Sequence, residues 1–281
     1  TIITNLTAYT RKSMIPGKTL VLLDEIQACP DARTAIKFLV EDGRFDYIES
    51  GSLLGVRHKE VRSYPVGFEE LYQMFPMDFE EYLWANGVQK STIQYLQDCY
   101  ENGRTVTDAI HQTMNKLFYS YIVVGGMPDV VQTYADTHDI AQVIARQNEI
   151  LELYRLDIAQ YAQDNEKMKI RAIFDSIPSQ LNDKNRRFVL TAVDPNGRQL
   201  RYADSFNWLA DAGVALPCYN VVEPQTPLRL NEKHNLFKLF MGDTGLLCAA
   251  CMDNVQFGLL NGDVPINMGS ILENVIAQQV K

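Results

Sequence analysis

Asp24 and Glu25 are the residues whose types and spacing most suggest chemistry, because they stand side by side directly after Leu20-Val21-Leu22-Leu23. An unbroken apolar run of that length reads as a strand buried on both faces inside a parallel sheet. Acids at the carboxyl end of such a strand lie where open α/β sheets bind ligands. One carboxylate there can hold Mg²⁺ through its water shell, and the next can polarise a water for attack on a phosphoryl group. The plain alternative is a core strand ending in a solvated acidic turn. Ser50-Gly51-Ser52 adds hydroxyls at the end of a second short strand, Phe45 to Glu49, and residues 28–40 between the strands have helical apolar spacing. Strand, helix, strand is a βαβ unit, so the strands are expected to run parallel with Ser50 and Ser52 beside the acids. A small hydroxyl in that place can touch a γ-phosphate or its water; a simple Ser/Gly turn is the other reading.

The acid pair has the form of a Walker B element, and such an element works with a phosphate-cradling loop. Gly17-Lys18-Thr19 spells the end of that loop without its context. The cradle needs glycines ahead of the lysine, a strand before them and a helix after, so that amides and the helix dipole face the phosphates. Residue 12 is Lys rather than Gly, and the stretch precedes a strand instead of following one. The tripeptide is therefore read as a decoy, with the true Walker A expected upstream of residue 1. The chain starts with Thr and stops within an apparent helix, residues 273–281, with no stop signal, so both ends are expected to be cut. Weak or no ATP binding is expected of a chain without its phosphate loop. Arg57, His58, Lys59 and Arg62 form a basic cluster after Ser52. Arg57 could reach a phosphate as an arginine finger does, while a solvated charged loop is the ordinary reading.

The rest of the composition narrows the field. The 281 residues are 46% hydrophobic and 22% charged, ordinary for a globular chain of one large or two to three small domains. The net charge of −9 argues against a protein that coats nucleic acid, although it permits a local basic face. No apolar stretch approaches the roughly 18 residues that span a bilayer, and no signal peptide is visible. Five scattered cysteines read as reduced thiols of a cytoplasmic protein, with Cys248-Ala-Ala-Cys251 a structural pair rather than a metal or redox site. The four histidines are dispersed without ligand spacing.

Along the chain, residues 66–85 read as amphipathic and helical after each proline, with Asp78 and Glu81 spaced as a capping box. Helices are expected over 92–100, 108–123, 129–134 and 140–162, the last with an apolar face through Ile140, Val143, Ile144, Gln147, Ile150, Leu151 and Tyr154. Two helices, 170–177 and 186–193, are expected to be broken apart at Pro178, followed by a third over 201–213 and strands over 214–222 and 237–241. Three helices and then a strand ladder is the order of a winged helix. Residues 167–201 carry a local positive excess, including Arg186, Arg187, Arg198 and Arg201, which could serve DNA phosphates or be plain surface.

Several of these segments together resemble a known family. They are Leu20 to Pro30, Ser50 to Val56, Tyr64-Pro65-Val66-Gly67, Tyr72 to Leu83, Gly125-Gly126-Met127-Pro128, Gly242-Asp243-Thr244-Gly245-Leu246-Leu247 and Leu272-Glu273-Asn274. The chain is similar over nearly its whole length to prokaryotic AAA-like P-loop ATPases that carry a C-terminal domain of unknown function. The resemblance implies a fold that is α/β plus α: the remnant of a parallel ATPase sheet (1–85), a helical lid or linker region (86–165), a winged-helix-like domain (166–230) and the start of a nuclease-like region (231–281). It implies ATP and Mg²⁺ as ligands, Asp24 on the metal side, Glu25 as the catalytic acid, and Ser50 to Ser52 at the sensor strand's end. It also implies a restriction-endonuclease-like continuation after Glu273. The competing expectation is a DNA-binding or protein-interaction module with the ATPase part as scaffold. Neither reading specifies the oligomeric state.

Overall fold

A computed structural model describes residues 2–51, 67–183, 187–251, 256–261 and 268–281, and the chain divides into two compact units, Thr1–Met74 and Phe75–Lys281. Ser52, Arg57 and the basic cluster around it, and Arg186, lie outside the described residues.

In the first unit α1 (Ile2–Thr10) precedes β1 (Leu20–Leu23), α2 (Pro30–Asp42) and β2 (Asp46–Glu49). Pro30 begins α2, where its missing N–H costs nothing. The two strands pair in parallel, Leu20 opposite Asp46 and Leu23 opposite Glu49, as a βαβ unit requires. The expectation that β1 is buried on both faces is corrected. Leu20, Leu22 and Ile48 share one face and are 56%, 64% and 49% exposed, while Val21, Leu23, Tyr47 and Glu49 on the other face are half-buried. A two-stranded sheet beside one helix has layers enough to cover a single face.

The second unit is mostly helical. Its elements are α3 (Phe79–Ala85), α4 (Lys90–Glu101), α5 (Asp108–Val124), α6 (Pro128–Thr137), α7 (Ile140–Tyr161), α8 (Lys167–Asn182), α9 (Leu190–Val193) and α10 (Ala203–Asp211). There follow β3 (Ala215–Val221), β4 (Glu232–Met241), α11 (Thr244–Cys251), α12 (Gln256–Asn261) and α13 (Gly269–Gln279). The capping box forms at α3: the Glu81 amide donates to Asp78 Oδ1 at 2.8 Å and the Asp78 amide to Glu81 Oε2 at 3.0 Å. The helix expected before it does not form, since residues 67–78 are non-helical. The backbone there is bonded elsewhere, with the Met77 amide on Gly126 O at 2.6 Å and its carbonyl taking Tyr121 Oη–H at 2.9 Å.

The core centres on the last turn of α5, where Tyr121, Ile122, Val123 and Val124 are all fully buried. A turn that is apolar all round must be enclosed, and α11 and α7 pack against α5 here. Gln147 interrupts the apolar face of α7 for a reason: its buried amide donates to Val123 O at 2.8 Å and Val124 O at 2.9 Å. Those are helix-end carbonyls that have no partner within their own helix.

Pro178 does not break the chain into two helices. The helix α8 runs through it to Asn182. Ile170, Ile173, Phe174 and Ile177 are fully buried along it, each contributing roughly 1.5–3 kcal/mol, which offsets the hydrogen bond that the proline cannot donate. The expected helix 186–193 shrinks to α9 because Val189 is bonded through both backbone groups to the Gln180 amide, at 3.0 Å each. Phe188 donates its amide to Phe237 O at 2.8 Å, so the chain before α9 runs alongside β4. β3 and β4 pair antiparallel, and the rings of Phe188, Phe206 and Phe237 cluster with centroids 5.1–5.8 Å apart between this hairpin and α10.

Candidate functional site

The parallel register brings the two chemical segments of the first unit together. With Leu23 opposite Glu49, the next residues on each strand are Asp24 and Ser50. The Ser50 amide donates to Leu23 O and the Ile26 amide to Ser50 O, both at 3.0 Å, so the serine is bonded to the chain on either side of the acid pair. Its hydroxyl donates to Asp24 Oδ1 at 2.5 Å, and the same oxygen accepts the Glu25 amide at 3.1 Å. Asp24 Oδ2 has no protein partner among the described residues. Both acids are exposed, and buried Ile26 anchors the turn just after them. Glu25 holds a left-handed backbone, φ 52° and ψ 46°, a conformation that costs a side-chain-bearing residue about 1–2 kcal/mol. Such strain persists where surrounding contacts fix it, and it clusters at functional sites.

Below the acids lies a network that spacing did not announce. Arg33 on α2 is 5% exposed; its Nη1 is 3.9 Å from Glu49 Oε2, and its Nη2 donates to both oxygens of Glu69 at 3.1 and 3.2 Å. Burial raises the Glu49 carboxyl above its ordinary range, with Arg33 opposing that shift and Glu69 adding to it. One signal existed in the sequence: Arg33 precedes Ile36 by three residues, on the face that α2 buries.

A second polar assembly sits in the larger unit, at the place where Gly125-Gly126, Met77, Gly242-Asp243-Thr244-Gly245 and α13 meet. Asp243 is 1% exposed. Its carboxylate accepts the Gly126 amide at 2.6 Å and the Leu246 amide at 2.9 Å, and Gly245 donates to it as well. Burial nonetheless pushes this carboxyl upward. Gln278 Oε1 accepts both the Thr244 amide and hydroxyl at 2.9 Å, and its Nε2 reaches Tyr121 Oη at 3.1 Å. Asn274 bonds both backbone groups of Met241, at 2.8 and 3.2 Å. Every element contributes a short polar contact, so the approach is close: a Cβ on Gly125 would lie 2.3 Å from Asp243 Oδ1, and one on Gly126 would lie 2.1 Å from Met77 O. Gly125 also adopts φ 77° and ψ −164°, a region open essentially to glycine alone. The assembly is enclosed and saturated with internal bonds, which suits a structural joint rather than a ligand site.

Comparison with known proteins assigns these parts. Residues 115–256, half of the chain, match a domain of unknown function, DUF8612. The chain belongs to that family. Residues 2–83 match an AAA domain, which lies N-terminal to the DUF8612 segment. Among solved structures, the chain is similar to the Walker-type ATPase PABY2304 of Pyrococcus abyssi at 13% identity and a TM-score of 0.48, covering 88% of this chain and 65% of that one. The chain thus spans about 65% of the length of that protein. The comparison with curated proteins returned no match. The AAA segment contains Asp24, Glu25, Ser50 and the Arg33 network, and the DUF8612 segment contains Tyr121, Gly125, Gly126 and Asp243.

The remaining sequence-predicted residues separate. Lys167, Lys169 and Arg171 pair with Asp164, Glu166 and Asp175. Glu273 on α13 pairs with Lys238 of β4. None of the five cysteines forms a disulfide, and buried Cys248 donates to Ile122 O. Among the described residues no group of three or more His, Cys, Asp or Glu could cage a metal ion, and no helix is long and apolar enough to cross a membrane.

Proposed function

We propose that the AAA-like segment supplies part of an ATP-hydrolysing site, with Asp24 on the metal side and Glu25 as the base for the attacking water. The observation that carries this is the Asp24 carboxylate itself. Two donors, Ser50 Oγ and the Glu25 amide, converge on Oδ1 at the end of a parallel strand pair. They fix the orientation of the group while Oδ2 faces outward with no protein partner among the described residues. An exposed oxygen donor of this kind fits Mg²⁺, which takes one or two carboxylates plus substrate phosphates rather than an all-protein cage. Bound MgATP would supply the phosphoryl group and the charge neutralisation its transfer needs. Asp24 would orient the ion's water shell through Oδ2. Glu25 would accept the proton of the attacking water at a carboxylate oxygen. Ser50 would hold Asp24 in place, Ser52 would present a hydroxyl to the γ-phosphate, and Arg57 is the candidate phosphate-facing cation. The five cysteines, odd in number and without framework spacing, favour a reducing, cytoplasmic location.

The test is Mg²⁺-dependent ATP hydrolysis by the complete natural protein. Asp24→Asn is expected to raise the half-saturating Mg²⁺ concentration about tenfold or more while the protein stays folded, because it removes the negative charge that faces the ion. Unchanged Mg²⁺ dependence in that variant would sink the assignment of Asp24.

A second reading concerns residues 166–230 as a winged-helix-like interaction module. Its support is topological: α8, a chain segment bonded to β4 at Phe188, α9, α10 and then the β3–β4 hairpin. The charge pattern favours a protein partner over DNA. The exposed positions of α10 are Asp204 and Asn207, and the lysines and arginine at the start of α8 are neutralised by neighbouring acids. Duplex DNA affinity is therefore expected in the nonspecific range, weaker than about 10⁻⁶ M at physiological salt. It should also be unaffected by charge reversal at Arg186 and Arg187. Tight, salt-dependent binding that is lost on that reversal would restore the DNA reading.

A further inference from the structure

We propose that Arg33 is a positioning residue for the strand-end acids: its guanidinium, buried between Glu49 and Glu69, fixes the end of β2 and, through Ser50, the carboxylate of Asp24. This deepens the hydrolytic reading of Asp24 and Glu25 and rests on it.

The chain of contacts is short. Glu49 is the last residue of β2 and Ser50 is its neighbour. Ser50 is bonded to Leu23 O, to the Ile26 amide and to Asp24 Oδ1. A displacement of Glu49 therefore reaches the Asp24 carboxylate through one peptide unit and one hydrogen bond. Glu49 is the acid that most needs holding. Its side chain is 16% exposed, and its Oε1 is buried with no hydrogen-bond partner among the described residues. A carboxylate in that state is costly unless a cation compensates it, and the cation facing it is Arg33.

Arginine suits the place better than lysine. Its planar fork directs Nη1 to Glu49 and Nη2 to Glu69 at the same time, whereas an ammonium is a single point charge. Glu69 lies beyond Ser50 in sequence, so one guanidinium ties the residue that ends β2 to a residue 20 positions later (69 − 49). An arginine at the margin of a helix could be a plain surface ion pair worth little. At 5% exposure between two carboxylates, Arg33 is not in that class. Removing it leaves an uncompensated, half-buried charge directly behind Ser50.

Two readouts on the complete protein test this. The first is independent of catalysis. In Arg33→Gln, amide hydrogen exchange at Ile26 and Ser50 is expected to quicken about tenfold, because their bonds depend on the position of β2's end. Amides of the second unit such as Val131 and Leu246 should keep their rates. The second readout is kinetic. Arg33→Gln is expected to lower kcat for ATP about tenfold and to raise the half-saturating Mg²⁺ about threefold, with Arg33→Lys intermediate in both. Mere loss of folded protein would lower the apparent kcat and leave the Mg²⁺ half-saturation of the remaining enzyme where it was. Unchanged exchange at Ile26 and Ser50 overturns the inference, and so does faster exchange with unchanged kcat and Mg²⁺ dependence. A wild-type protein that turns over no ATP overturns the hydrolytic reading instead, and the exchange result then decides the structural link alone. Should Arg33→Gln fail to fold, Arg33→Lys and Glu69→Gln carry the same comparison.

Discussion

Asp243→Ala is expected to destabilise the DUF8612-containing unit by about 4 kcal/mol, the range found when one side of a buried charged hydrogen-bond cluster is removed. Alanine strands the buried amides of Gly126 and Leu246 and that of Gly245. It also releases Gln278, whose other bonds hold Thr244 and Tyr121. For a unit of this size the loss corresponds to a fall in Tm of roughly 8–16 °C, read from the helical circular-dichroism signal. Asp243→Asn keeps one acceptor oxygen and should cost less. A loss below about 1 kcal/mol in Asp243→Ala would mean that the amides find water, and the view of this site as the joint of the unit would fail.

The same carboxylate gives a pH signature. Its folded-state pKa is raised by burial above the ordinary 3.8. A raised folded value means that the group's stabilising contribution is fully present below about 3.8 and is lost as pH rises through the folded value. Wild type minus Asp243→Asn isolates this group from the other carboxylates. The stability difference between the two proteins should therefore narrow as pH rises across that window, measured by urea unfolding at a series of pH values.

Glu25→Gln in the complete protein is expected to lower ATP turnover about 10³-fold while leaving MgATP binding within about threefold of wild type. Glutamine is nearly isosteric with glutamate, and the left-handed backbone at this position is set by the bonds of Asp24, Ser50 and Ile26 rather than by the charge. The substitution thus removes proton acceptance and keeps the geometry. Single-turnover hydrolysis alongside equilibrium nucleotide binding separates the two effects. Turnover that survives the substitution would assign the base elsewhere. A parallel loss of binding would make Glu25 a ligand-holding residue and not a base.

Adjacent residues in the chain carried most of what the sequence determined. The pattern of Leu20 to Leu23 followed by two acids marked a strand and its acidic end, because a strand's apolar run and its exit are local properties. The βαβ order then dictated parallel pairing, and with it the meeting of Asp24 and Ser50, 26 residues apart. The capping box at Asp78 and Glu81, and the apolar face of α7, were legible on the same local grounds.

Tertiary structure decided whatever depended on partners distant in sequence. Pro178 stays inside α8 because four buried side chains outweigh one lost backbone bond, a balance that propensity alone does not contain. Residues before Phe79 leave the helix because Met77 finds Gly126 and Tyr121. Asp243 read only as a motif residue. Its burial, its amide donors and the glycines that let backbones approach it come from elements more than 100 residues apart, since Gly126 and Asp243 are separated by 117 positions. Arg33 was a charged residue on an amphipathic helix until folding placed Glu49 and Glu69 against its fork. Local spacing fixes which groups share a face or a strand end; the desolvation that makes a charge costly, and so makes its partner indispensable, exists only once the chain has closed around it.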